Sequence, residues 1–130
     1  MKEVIAIIRM NMMNKTKRAL SDAGIISFCA RKVIGRGKGK VDYMLLKGAE
    51  EGYDEAITQR GPGSKLIPKR MLNIILPNEL VKTAVETIIS VNQTKSPGDG
   101  KIFVLPALDA VRVRTGESGD EVLDEVRKES

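Results

Sequence analysis

Histidine and tryptophan are both missing from this chain of 130 residues, and cysteine occurs once, as Cys29. Without histidine the commonest general base and the commonest transition-metal ligand are gone, which excludes a Ser-His-Asp hydrolase and a histidine-ligated metal centre. A lone cysteine can neither close an intrachain disulfide nor supply a zinc site. Aromatics are scarce, and Phe28, Tyr43, Tyr53 and Phe103 stand apart, with no paired arrangement on which RNA bases would stack. No apolar run approaches the roughly 18 to 20 residues of a membrane-spanning helix, and the first residues hold no long apolar stretch of the secretory kind. A cytoplasmic protein without direct membrane insertion is the expectation.

What is present is a globular composition, 42% hydrophobic and 30% charged, at net charge +5. The length suits one domain around one core. A surplus of cations invites a nucleic-acid reading, but lysines and arginines are interleaved with acids except at "RGKGK", Arg36 to Lys40, and the last residues are acidic. That distribution fits a few phosphate groups better than a polynucleotide, so no nucleic-acid partner is expected. A nucleic-acid-binding module of the same fold class is the remoter alternative, and steep salt dependence of binding would be its mark. A small nucleotide-using enzyme is the third reading. No set of carboxylates and lysines stands out as catalytic machinery, and the chain is read as a non-enzyme.

The apolar pattern sets the element order. "EVIAII", Glu3 to Ile8, reads as a buried strand. Asn14 is placed to cap a helix that turns Leu20 and Ala23 inward and ends at Gly24 as a left-handed cap. A β-prone run from Ile25 to Ile34 follows, then glycine-rich "GRGKGK" and "VDYMLL", Val41 to Leu46. "KRMLNIIL" alternates, with Leu72, Ile74 and Leu76 on one face. Pro77 and Asn78 open the clearest helix, in which Leu80, Val81, Ala84, Val85, Ile88 and Ile89 share a face. Strands "KIFVL" and "AVRVRT" come last, and on the second of these Arg112 and Arg114 would project together. This is the split β-α-β order, which predicts an α+β, ferredoxin-like antiparallel sheet with both helices on one face. Ser118 and Glu121 have capping-box spacing, which predicts a short charged tail helix over 118–130, beyond a main domain of residues 1–117.

Between the second and third strands lies "GAEEGYDEAITQRGPGS", and from Lys47 to Lys65 neither period is sustained. Loops beyond roughly 12 to 15 residues are uncommon in compact domains unless functional or disordered. Fixing each residue costs on the order of 1 to 2 kcal/mol of backbone entropy, so the loop of about 36–66 is expected to take a fixed shape only against another chain. The stretch "KSPGDGKIFV" raises a second question. Gly98, Asp99 and Gly100 suit ordinary turn chemistry. With Lys101 they also suit an anion cradle, because glycines leave backbone N–H groups uncovered beside a mobile cation. Neither glycine-lysine stretch is a P-loop, since Val41 follows Lys40 and Ile102 follows Lys101 where Ser or Thr would be needed. Lys38, Lys40, Lys101, Arg112 and Arg114 are the candidate cations for one triphosphate.

Taken together, "GDGKIFV", "VRVRTGE", "IAII" near the start, "ALSDAGI" and "GRGKGK" before a long loop resemble the PII nitrogen-regulatory signalling family over nearly the whole chain to Glu117. The resemblance implies a ferredoxin-like homotrimer, or a mixed trimer with a paralogue, binding ATP or ADP in clefts between subunits. It also implies a T-loop that touches target proteins, and 2-oxoglutarate sensed beside the phosphates through magnesium. Carried onto this chain, it assigns Gly98, Asp99, Gly100 and Lys101 to the phosphates and ribose side, and Arg112 and Arg114 to phosphate charge from a neighbouring subunit. Gly35, Gly37, Lys38 and Lys40 fall at the loop base, Cys29 at the adenine, and Lys69 at a 2-oxoglutarate carboxylate. Gly39 stands where the family pattern has the glutamine that serves magnesium and 2-oxoglutarate. Glu51 stands where a modifiable tyrosine is usual, so uridylylation is not expected. The target-binding loop residues would be Lys47, Gly48, Glu50, Glu51, Tyr53, Asp54 and Arg60. The longer loop resembles the branch encoded with nitrogenase genes in archaea and some anaerobic bacteria, in particular the second of that pair, which implies nitrogenase as the target. An ammonium transporter or glutamine synthetase is the alternative target.

Overall fold

A computed structural model of the protein describes residues 1–36 and 66–124. The expected strand Val41 to Leu46, nearly all of the long loop and the end of the tail lie outside the described residues. So do the site candidates Gly37, Lys38, Gly39, Lys40, Lys47, Gly48, Glu50, Glu51, Tyr53, Asp54 and Arg60.

Strand β1 spans Lys2–Arg9, helix α1 Met13–Asp22, β2 Cys29–Gly35, β3 Ile67–Leu76, helix α2 Asn78–Asn92 and β4 Gly100–Pro106. The four strands form one sheet in the order β2-β3-β1-β4, antiparallel at every pairing, which is the ferredoxin-like α+β arrangement. Alternation decides which face is covered. Val4, Ala6 and Ile8 of β1 meet Leu72, Ile74 and Leu76 of β3 in a fully buried layer, closed by Leu20 and Ile25 from the first helical unit and Ala84 and Ile88 from α2. Asn92 Nδ2 donates to Thr16 Oγ1 at 3.0 Å, a polar tie between the two helices within that layer.

The opposite face carries Ile5, Ile7, Met71, Ile75, Phe103 and Leu105 by register. Among the described residues no helix covers it, and Phe103 and Leu105 remain 45% and 39% exposed.

Four local expectations are corrected. Asn14 does not cap α1: a 3-10 turn over Met10–Met12 leads into the helix, the capping position is Met12, and no side chain bonds there. The second strand begins at Cys29 rather than Ile25, because Ile25 is drawn into the core and its N–H closes the helix end on Leu20 O at 2.8 Å. Ala110 to Thr115 is not a strand. Val111 makes one isolated bridge to Ser118, and Val113, Arg114 and Thr115 form a turn. Alternating Val and Arg supply β-propensity, but among the described residues no strand lies alongside to complete a ladder. In the tail, Ser118 caps nothing. Gly119, at φ +88°, precedes a three-residue 3-10 turn, Asp120–Val122, and Leu123 is already extended. The left-handed Gly24 after α1 is as expected, at φ +88°.

Candidate functional site

The connection from α2 to β4 is organised by one carboxylate. Asp99 Oδ2 accepts the backbone N–H of Thr94 at 2.7 Å and of Lys95 at 2.9 Å. Its Oδ1 accepts Arg9 Nη1 at 2.6 Å and also the Thr94 hydroxyl. Lys95 is held at φ +65°, a left-handed conformation that a lysine seldom adopts. The Thr94 hydroxyl, then the Thr94 amide, the Arg9 guanidinium and the Lys95 amide together hold the Asp99 acid well below the usual carboxylate range, against the opposing effect of desolvation. A depressed folded-state value stabilises the loop at every pH above the unfolded value of about 3.9, and this stability is lost as pH falls further toward the folded-state value. The Thr94 and Lys95 amide resonances are therefore expected to hold steady from neutral pH to about pH 4 and to move only in stronger acid. Asp99→Asn should remove that titration, and a midpoint in the ordinary carboxylate range in the wild type would contradict the assignment.

Both glycines of the tetrad are favoured by φ, and Gly100 is dictated by contact as well. At Gly100, φ is +122° and an added Cβ would stand 2.1 Å from the Ile7 carbonyl oxygen; at Gly98, φ is +94° and a Cβ would lie 3.3 Å from Arg9 Nη2. The turn-chemistry reading of Gly98 to Gly100 therefore holds, and the same geometry leaves backbone open beside Lys101.

Several expected site residues gather at this end of the sheet. Lys69 Nζ donates to the Gly98 carbonyl at 3.3 Å, and its pKa is lowered by burial and then by the Arg9 charge, with Asp99 acting in the opposite sense. Lys69 pairs with Arg9 across β1–β3 and with Val33 across β2–β3, while Gly35 pairs with Ile67. The two strand ends that lead to the long loop, Gly35 and Ile67, thus lie two residues beyond Lys69. Lys101 pairs with Ile7 and shares the uncovered face. Cys29 begins the edge strand β2, opposite Asn73, and is exposed.

Arg112 and Arg114 are not brought to this place. Ala107 N–H donates to Met1 O at 3.2 Å, at the far end of β4. Six strand steps from Gly100 to Pro106 correspond to about 20 Å. The following segment is tied back at the same end, where the Ser27 hydroxyl donates to Asp124. Arg112 itself pairs with Glu117 at 3.4 Å, and its N–H donates to Glu117 O at 2.8 Å. Arg114 is exposed in the turn. Among the described residues no group of three His, Cys, Asp or Glu side chains is placed to hold a metal, and no helix is long and apolar enough to cross a membrane.

Arg9 and Thr94 are the residues that sequence reasoning missed. A single arginine ending a strand carries no motif; only the β1–β4 register puts it beside the Gly-Asp-Gly turn.

An antiparallel four-stranded sheet with two helices on one face, and a glycine-rich turn leading into β4, places the chain among α+β proteins of the ferredoxin-like class. The chain belongs to the nitrogen regulatory protein P-II family, whose model matches residues 1–117; these are signalling regulators of nitrogen metabolism. It is 44% identical over 123 residues to the nitrogen fixation nifHD region GlnB-like protein 2 of Methanobacterium ivanovii, covering 95% of this chain and 99% of that protein. The protein of the same description from Methanothermobacter marburgensis is 46% identical over 125 residues, covering 95% and 100%. A nitrogen regulatory protein P-II of Rhodobacter capsulatus is 37% identical over 123 residues, covering 95% and 100%.

Proposed function

We propose that the protein is a nucleotide-responsive regulator whose anion site is completed by a second copy of the chain within a homotrimer or a mixed trimer. The observation that carries this reading is the division of the cations. Lys101, with the Gly98 and Gly100 backbone and Gly35, stands at one end of the sheet, whereas Arg112 and Arg114 belong to a segment anchored at the other. The uncovered apolar face supports an assembly, and so does the segment carrying the arginines, where Leu108 and Val113 are each 99% exposed. ATP or ADP would place its phosphates on Lys101 and the loop backbone, with Arg112 and Arg114 arriving from the neighbour and Cys29 toward the base. Gly37, Lys38 and Lys40 would close the loop root.

In this reading 2-oxoglutarate, where it is sensed, meets Lys69 and the Gly39 backbone, and magnesium on the phosphates links it to the nucleotide. The loop then carries the output to a target. Nitrogenase is the proposed target, because the similar archaeal proteins are described by their place in the nifHD region, and inhibition is the proposed effect.

Calorimetry with ATP tests the site. Lys101→Ala and Arg112→Ala are each expected to weaken binding by roughly 1.5 to 3 kcal/mol, the worth of a charge-assisted contact. Co-expression of the two variants should restore a fraction of tight sites, because one copy supplies the lysine and another the arginine. Unchanged affinity in both single variants would sink the site, and co-expressed material no better than either variant alone would sink the sharing.

A further inference from the structure

We infer that Arg9 is a positioning residue for this anion site, turning the Gly98 N–H outward as a phosphate donor. The inference rests on the nucleotide reading above and adds a residue to it. Arg9 ends β1 with its side chain only 17% exposed. Its fork spans two acceptors of one loop: Nη1 donates to Asp99 Oδ1 at 2.6 Å and Nη2 to the Pro97 carbonyl at 3.1 Å. Only an arginine offers two parallel N–H groups in a rigid plane for such a pair.

The consequence follows from peptide planarity. No peptide bond among the described residues is cis, and in a trans unit the C=O and the next N–H point in opposite directions. By drawing the Pro97 carbonyl toward β1, Arg9 drives the Gly98 N–H away from the sheet. Lys69 does the same to the next unit through the Gly98 carbonyl, but the Asp99 N–H that it turns is engaged by Ser96 O at 3.4 Å. Gly98 is exposed, and its N–H has no partner among the described residues. The left-handed φ of +94° at Gly98 favours glycine, and the missing side chain leaves that donor uncovered.

Arg9 does not act as a phosphate ligand here, because its charge is matched by Asp99 in a part-buried pair. Its effect passes through the loop, and the neutralising charge is left to Lys101. A mere structural prop would make a different prediction: its loss would lower stability and spread small changes over the loop without singling out one amide.

The test follows the Gly98 amide by 15N–1H spectroscopy while ATP is added to the full chain. In the wild type the Gly98 resonance is expected to shift downfield with occupancy. Arg9→Met should lower ATP affinity by about tenfold or more, as for loss of a charge-assisted contact, and should abolish the Gly98 shift while shifts at Lys101 persist. Arg9→Lys keeps the charge without the fork and should not rescue. If Arg9→Met fails to fold, Arg9→Gln carries the comparison. A Gly98 amide unmoved by ATP in a wild type that binds ATP overturns the inference whatever the variants do. So does wild-type affinity in Arg9→Met or full rescue by Arg9→Lys. Absence of ATP binding by the wild type would instead overturn the nucleotide reading, and this inference with it.

Discussion

Gly100→Ala is expected to cost on the order of 3 kcal/mol or more of folding stability, combining left-handed backbone strain with a backbone clash. An added Cβ would sit 2.1 Å from the Ile7 carbonyl oxygen, a backbone atom that cannot swing aside, and φ is +122°. The collision falls where β4 first pairs with β1, Gly100 against Ile8, so relief requires unpairing the start of the strand and carries Lys101 out of position. Urea unfolding should show a lower midpoint, and nucleotide affinity should fall with it. The same substitution at Gly98 meets the tip of the Arg9 side chain at 3.3 Å, which can yield, and its stability loss should be smaller. Equal stability of Gly100→Ala and wild type would contradict the close approach.

The other large effect concerns the long loop. Replacing residues 48–63 with a short Gly-Ser linker is expected to abolish inhibition of the target enzyme while leaving assembly and most ATP affinity intact. The frame tolerates the exchange because Gly35 and Ile67 are already paired by the β2–β3 ladder, and loop closure changes by only about 0.6 kcal/mol per halving of length. Coupling between the loop and the ligand must be reciprocal: a target that favours one loop state changes nucleotide affinity by the same factor. An assay of the target with the linker protein, beside ATP calorimetry, separates the two roles. Persistent inhibition would move the interaction surface elsewhere, with the segment after Ser118 as the first place to look.

Much of this architecture is legible in the sequence where burial on one side imposes a period. Leu72, Ile74 and Leu76 alternate because β3 is central in the sheet, and the α2 face repeats because Ala84 and Ile88 must meet that layer. The tetrad is legible for a related reason: glycines flanking an acid advertise positive φ and a side chain that bonds its own loop. The errors share a cause. Val111 to Arg114 has the alternation of a strand, yet a strand exists only with a partner, and register is not written locally. Asn14 has the chemistry of a cap, but a methionine-rich 3-10 turn leads into the helix and puts its cap two residues earlier, at Met12. Arg9 was hidden because its partners, Pro97 and Asp99, are some ninety positions away in sequence.

The anchoring of the segment that carries Arg112 at the end of the sheet remote from Lys101 has a further consequence on the shared-site proposal. If one copy supplies the cradle and another the arginines, ligand and neighbour bind cooperatively, and occupancy obeys mass action in the protein as well as in the nucleotide. Diluted below its assembly constant, the chain becomes a poor receptor at any fixed nucleotide level, whereas nucleotide in excess drives copies together. The amount of protein synthesised is then itself an input to the signal: a cell that makes little of this chain sets a higher nucleotide threshold than one that makes much of it.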